Sequence, residues 1–140
     1  MQEGSKRNRT LAIIKPDVVE KRRVGEIITM IEKEFHITEM KMVRMTKDQA
    51  IEFYKEHEGK EFFNSLTEFM SSGPMVAMVV EGENVVQRFR EFVGETDPRK
   101  AREGTIRKIF GEGLPRNAIH ASDSEKSAER EIEFFFGNSR

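Results

Sequence analysis

Apolar residues recur along this chain at two spacings, and each change of spacing marks an element. Thr10 to Lys15 alternates like a strand, with Leu11, Ile13 and Lys15 on one face. Lys15 closes that strand just before a Pro16-Asp17 turn. Val24, Ile27, Ile28, Ile31 and Phe35 then fall at helical spacing and predict an amphipathic helix. A second strand is expected over Ile37–Met45. Thr46-x-x-Gln49 has capping-box spacing and opens a helix that carries Ala50, Phe53, Tyr54 and His57 on one face. Gly59 breaks it. A further short helix bears Phe62, Phe63, Leu66, Phe69 and Met70 and stops near Gly73-Pro74, so the two helices form a hairpin. One of Phe62 and Phe63 is expected to face away from the hairpin's own core. Met75–Val80 is almost wholly apolar and reads as a buried central strand.

The remainder is more polar. Asn84 is read as the cap of a helix over 85–93, whose stripe is Val86, Phe89, Arg90 and Val93. A long loop runs from Gly94 to Gly104, Thr105-Ile-Arg107 starts a short helix, and Gly111 to Pro115 is loop again. Ala118 and Ile119 end a short strand. Ser122-x-x-Glu125 has the spacing of a second capping box, and the last helix, from about Ser124, turns Ala128, Glu131, Ile132 and Phe135 inward until Gly137 stops it. The order β-α-β, helical hairpin, β-α-β-α predicts an α/β (α+β) fold. It is a ferredoxin-like βαββαβ sandwich with a four-stranded antiparallel sheet, helices on its faces, an inserted hairpin and a C-terminal helix. Residues 1–8 read as a flexible tail and 9–140 as one domain.

Composition narrows the function classes. Lys+Arg number 24 and Asp+Glu 25, a net charge of -1, so nucleic acid is not the expected partner. The chain has no cysteine, which excludes disulfides, thiolate zinc sites and cysteine nucleophiles. No apolar run approaches a membrane span and no signal-peptide core precedes Thr10, so a cytoplasmic location away from membranes is expected.

Polar residues nevertheless interrupt the apolar stripes. Tyr54, His57, Arg90 and Glu131 all lie on inward faces, and Arg90, buried there, needs an anionic partner. Tyr54 and His57 are either boundary residues with satisfied tips or parts of a site, and Lys15 either a solvated strand end or a cation delivered to a cleft. His120 stands between strand and helix, in a run holding Arg116, Asn117, Ser122, Asp123 and Ser124. This inventory of cations, donors and one imidazole suits polyphosphate, and without a Gly-rich phosphate loop the phosphates would be held by side chains. His120 is then a nucleophile or a general base. A non-catalytic nucleotide-sensing module of the same fold is the alternative.

Asn117-Ala-Ile-His120-Ala121-Ser122-Asp123 resembles the Asn-x-x-His-Gly-Ser-Asp signature of nucleoside diphosphate kinases. Ile14-Lys15-Pro16-Asp17, Ser72-Gly73-Pro74-Met75-Val76-Ala77, Gly94-Glu95-Thr96-Asp97-Pro98 and Gly104-Thr105-Ile106-Arg107 are similar to other passages of that family, in the same order. The resemblance covers roughly 9–137. Ala121, Val18, Glu103, Lys108 and Ile109 depart from its usual residues, Ala121 being expected to keep φ negative where glycine is common.

The resemblance implies a ping-pong transfer of the γ-phosphate of a nucleoside triphosphate to a nucleoside diphosphate through phosphorylated His120. It implies that Arg90, Thr96 and Arg107 hold phosphates with His57 beside them. Lys15 and Asn117 would bind sugar hydroxyls, Lys15 also near the transferring phosphate, and Phe62 and Leu114 would sandwich a base. Tyr54 would steady the transferring group, while Glu131, with Ser122, orients the imidazole. It further implies Mg²⁺ near Asp123, through water, and a homo-oligomer, hexamer or tetramer.

Overall fold

The computed structural model describes residues 7–137. β1 is Arg7–Ile14, α1 Pro16–Lys21, α2 Val24–Glu32 and β2 His36–Val43. The hairpin is α3, Lys47–Phe53, and α4, Phe63–Met70, with a 3-10 turn at Lys55–His57 between them. β3 is Met75–Glu83, α5 Val85–Val93, α6 Ile106–Phe110, β4 Ile119–Ala121 and α7 Glu125–Phe136. The strands form one sheet in the order β2-β3-β1-β4, and each adjacent pair is antiparallel. This is the ferredoxin-like sandwich.

The alternation along β1 sorts the core into two layers. Ala12 and Ile14 meet Val76, Met78 and Val80 of β3 under Ile27 and Ile31 of α2, Phe89 and Val93 of α5, and Ile106 and Phe110 of α6. Leu11 and Ile13 meet Ala77 and Val79 under Phe53 of α3, Leu66 and Met70 of α4, and Ile132 and Phe135 of α7. With both faces covered, β1 over Leu11–Ile14 and β3 over Met75–Val80 are apolar without alternation, whereas β2 at the edge exposes Met40 and Met42. Val18, a departure from the family's glycine, is fully buried in the first layer.

Several local expectations change. The tail call at 1–8 fails for its last two residues: β1 begins at Arg7, and Asn8 pairs with Gly82. Asn8 Oδ1 accepts the Val85 N–H at 3.1 Å, and its Nδ2 donates to Glu125 at 2.9 Å. These bonds span most of the chain, so no local pattern announces them. Residues 1–6 lie outside the described residues. Pro16-Asp17 is not a turn but the first turn of α1, since proline suits a helix start. Asn84 stands at the N-cap of α5 with φ 48 and makes no side-chain cap; Asn8 serves that N–H instead. Ser122 does not cap α7 either. Ser124 does, accepting from Ser127 N at 3.0 Å, which leaves Ser122 free for the interior. The Thr46–Gln49 capping box is present in both directions, 3.1 and 2.9 Å.

Candidate active site

β4 is only three residues long, and it brings His120 to the sheet edge beside β1, opposite Ile13. His120 therefore lies within the strand rather than at its end. Its Nε2 is 2.8 Å from Oε1 of Glu131, which α7 turns inward one layer below. The same oxygen accepts the Ser122 hydroxyl at 2.7 Å, and that hydroxyl accepts the Leu11 N–H at 3.3 Å. Glu131 and Ser122 are both buried. Burial raises the Glu131 carboxyl, but His120, Ser122 and Arg130 outweigh it and hold it below its ordinary value. A carboxylate against Nε2 favours the tautomer with the proton there. Nδ1 then keeps its lone pair, and it has no hydrogen-bond partner among the described residues.

Aromatic rings wall the imidazole. Phe53 stands edge-on at 5.5 Å and Tyr54 at 5.9 Å between centroids. Tyr54 continues to His57 at 6.3 Å, and His57 to Phe62 at 5.6 Å. His57 is not on the helix face with Tyr54, because α3 ends at Phe53 and the 3-10 turn swings it outward, half-buried. Phe62 is 48% exposed while Phe63 packs inward, so the hairpin presents one ring to solvent as expected. The Tyr54 hydroxyl is buried with no hydrogen-bond partner among the described residues, and burial drives its pKa far above the usual phenol value. A buried hydroxyl without a partner is a donor held ready for a ligand oxygen.

The cations gather on the other flank. Lys15, buried, donates to Asn117 Oδ1 at 2.7 Å, and Asn117 Nδ2 donates to the Thr96 carbonyl at 2.8 Å. Desolvation first, then Arg107, lowers the Lys15 pKa to about 7 against the opposing pull of Asp17. Arg107 is also buried and clamps two carbonyls, Gly94 at 2.9 Å and Ile119 at 2.8 Å, which ties the long loop to the residue before His120. Its buried Nε has no hydrogen-bond partner among the described residues. Desolvation and then Arg90 lower its pKa to about 10, so it stays charged at neutral pH.

Arg90 corrects the sequence reading. It is exposed, has no carboxylate partner among the described residues, and makes one long contact to the Ala121 carbonyl at 3.4 Å. Its long stem carries the guanidinium out to water. Arg90, exposed Thr96 and exposed Asp123 line a groove of about 1270 Å³ that runs along α5 and the 94–105 loop. That groove does not include His120, so it is one flank of the site, open to solvent. Leu114 is 61% exposed.

The peptide leading to His120 is strained. Ala118 has φ 82, and Ile119 N–H bonds back to the Asn117 carbonyl at 3.0 Å, a γ-turn of the left-handed kind. Alanine there costs about 1–3 kcal/mol. Ala121, expected to keep negative φ, does so. Sequence reasoning missed four neighbours of the site. Phe53 touches the imidazole, and Asp17 Oδ2 accepts the Ala118 N–H at 3.1 Å. Arg130 donates to the Phe53 carbonyl at 3.3 Å and stands 3.8 Å from Glu131 Oε2. Lys60 is 3.3 Å from His57 Nδ1 and over the Phe62 ring. Asp17, Arg130 and Lys60, charged residues close to expected site positions, carried a sequence signal, and Asp17 also lies within the Ile14-Lys15-Pro16-Asp17 passage.

Comparison with known proteins agrees with this geometry. A family model described as "Nucleoside diphosphate kinase" matches residues 8–140. The nucleoside diphosphate kinase of Lawsonia intracellularis is 50% identical over 128 residues, 91% of this chain and 93% of that one. That of Persephonella marina is 50% identical over 129 residues, 91% and 92%. Among solved structures, the Aquifex aeolicus nucleoside diphosphate kinase superposes with a TM-score of 0.91 at 47% identity, covering 95% of this chain and 97% of that one. A halophilic nucleoside diphosphate kinase from Halobacterium salinarum, in complex with CDP, gives 0.90 at 40% identity over 95% and 90%. A single imidazole held by a buried carboxylate, flanked by rings on one side and cations on the other, sits in a chain matched over nearly its whole length: it belongs to the nucleoside diphosphate kinase family, enzymes that bind nucleotides and pass phosphate between them.

Proposed function

We propose that His120 carries the phosphoryl group and that the side chains around it divide the work as follows. Nδ1 attacks the γ-phosphorus of a bound nucleoside triphosphate. The bond to the bridging oxygen breaks, and the diphosphate leaves with the electron pair. The reverse step hands the phosphoryl group to a second nucleoside diphosphate. The observation that carries this reading is the 2.8 Å contact from Nε2 to Glu131, because it occupies one ring nitrogen and leaves the other nucleophilic. Glu131 and Ser122 fix the ring. Tyr54 steadies the transferring group with its unpartnered hydroxyl. Arg90, Arg107 and Thr96 hold phosphates, with His57 beside them. Lys15 and Asn117, already joined, take the sugar hydroxyls, and Lys15 also faces the transferring phosphate. Phe62 and Leu114 offer exposed apolar surface to the base. Phosphoryl transfer is mostly positioning and charge stabilisation, which this set supplies.

No group of three or more carboxylate, histidine or cysteine side chains that could cage a metal occurs among the described residues. One exposed carboxylate, Asp123, is what Mg²⁺ needs when substrate phosphates and water complete its shell. Mg²⁺ bound there would screen phosphate charge. The enzyme is further proposed to be one catalytic domain, its start moved from residue 9 to Arg7 where β1 begins, and a cytoplasmic homo-oligomer, hexamer or tetramer. In support of the location, no helix among the described residues is long and apolar enough to cross a membrane. The test is steady-state kinetics with donor and acceptor varied together. Parallel double-reciprocal plots are expected, and intersecting plots would contradict a carried phosphoryl group.

A further inference from the structure

The most deeply buried carboxylate among the described residues is not at His120 but at the start of α1. Asp17 has no solvent exposure. Its Oδ2 accepts the Ala118 N–H at 3.1 Å, and its buried Oδ1 has no hydrogen-bond partner among the described residues. No ion pair within 4.0 Å among the described residues offsets its burial, for Lys15 turns its ammonium to Asn117 Oδ1. Burying a carboxylate for so little is costly. Desolvation accordingly raises its carboxyl above the ordinary value, with Lys15 pulling the other way. Asp17 also stands in the first turn of α1, where a helix start favours negative charge.

What Asp17 holds is the least relaxed peptide of the site. Ala118, at φ 82, adopts a backbone that a Cβ disfavours and glycine accepts. The peptide is gripped on its other side too, where Lys15 N–H donates to the Ala118 carbonyl at 2.9 Å. Asn117, on one flank of the turn, bonds Lys15 Nζ; Ile119, on the other, leads directly into His120 and gives its carbonyl to Arg107. Three site residues therefore depend on one turn that the chain does not favour by itself.

We propose that Asp17 is a positioning residue for phosphoryl transfer: its carboxylate pins the Ala118 N–H, keeps the left-handed turn closed, and so sets where Asn117 and the His120 imidazole stand. This rests on the reading of His120 as the nucleophile. Two features follow. An acceptor, not a charge, is what the Ala118 N–H needs, so an amide can replace the carboxylate. A residue that pays no penalty at φ 82 can also replace the clamp.

The experiment is single-turnover phosphorylation of the full chain by magnesium ATP, with His120→Ala as the blank and thermal melting alongside. Asp17→Ala is expected to slow phosphorylation roughly 30- to 100-fold, the scale of an ångström's misplacement of a reacting group. Asp17→Asn, which keeps an acceptor, stays within about 5-fold of wild type, and adding Ala118→Gly to Asp17→Ala restores about 10-fold by removing the strain. Where Asp17→Ala does not fold, Asp17→Ser, too short to reach the N–H, takes its place. A wild-type rate in Asp17→Ala overturns the proposal. So does equal slowing by Ala and Asn with no rescue by Ala118→Gly, which would make Asp17 a charge partner of Lys15. Wild type that takes no label on His120 overturns the nucleophile reading itself, a different failure from either of these.

Discussion

At the scale of single residues, the site works by denying side chains their usual partners. Glu131 spends one oxygen on both His120 and Ser122, at 2.8 and 2.7 Å. Glu131→Gln retains that acceptor and loses the charge. It is expected to slow phosphorylation of His120 by roughly 10- to 1000-fold, as an orienting charge is removed. Nucleotide affinity and melting temperature should stay near wild type; normal phosphorylation with a lowered melting point would make Glu131 a structural acid only. Lys15 gives a pH prediction. Burial and Arg107 put its folded pKa near 7, against 10.5 when free. Between those values the unfolded chain holds a proton that the folded chain lacks, so this residue makes stability rise with pH through that window. Below about 7 both states are charged and the folded state bears the full cost. Phosphate beside the ammonium reverses the depression. Nucleotide binding at pH 8 to 9 should then take up close to one proton, about the full titration of one group. Calorimetry in buffers of different ionisation enthalpy measures it, and Lys15→Met should abolish most of it; equal uptake in both proteins would contradict the assignment.

Among the elements, the loop between α5 and α6 is held by Arg107, and this separates two arginines that look alike in sequence. The apolar stripe singles out Arg90 and the family resemblance alone singles out Arg107, and both are expected phosphate ligands. Arg107 is buried and gives two bonds to carbonyls, while Arg90 is exposed with one long contact. Each alanine variant is expected to lose about 2–5 kcal/mol of transition-state stabilisation, the range for charge-assisted contacts to phosphate. Only Arg107→Ala should also unfold more easily, by about 2–4 kcal/mol, because one buried and one half-buried carbonyl lose a charged donor. Kinetics and denaturant melts on the pair check this. Equal stability would mean that the Gly94 and Ile119 contacts do not brace the loop. The helical stripe showed which residues of α7 turn inward, Glu131 included, because 3.6-residue periodicity is local. It misled at Arg90, since a stripe says which side a residue leaves the helix by and not how far its stem carries the charge. It misled at Ser122 for a related reason. Ser122 and Ser124 both offer a cap hydroxyl, and only the position of Glu131, nine residues on, decides that Ser122 goes inside.

Across the whole molecule, the ferredoxin-like architecture was legible because apolar segments of strand and helix period follow one another with clear glycine and proline stops. The two-layer core follows from it, since β1 and β3 carry apolar residues on both faces. What the sequence hid are contacts between distant residues: Asn8 at the starts of α5 and α7, Asp17 against Ala118, Arg107 against Ile119. Each is a polar side chain bonded outside its own element, to backbone in all but the Asn8–Glu125 pair, and no spacing rule predicts such partners. The central claim is that these long-range contacts assemble one nucleophile, and it has a direct test. Wild type and His120→Ala are incubated with γ-labelled ATP, freed of nucleotide, and chased with a diphosphate of a different base. Wild type should hold acid-labile, base-stable label and surrender it to the added diphosphate as its triphosphate, while His120→Ala stays unlabelled. Label on His120→Ala, or label on wild type that the diphosphate cannot remove, would contradict the account.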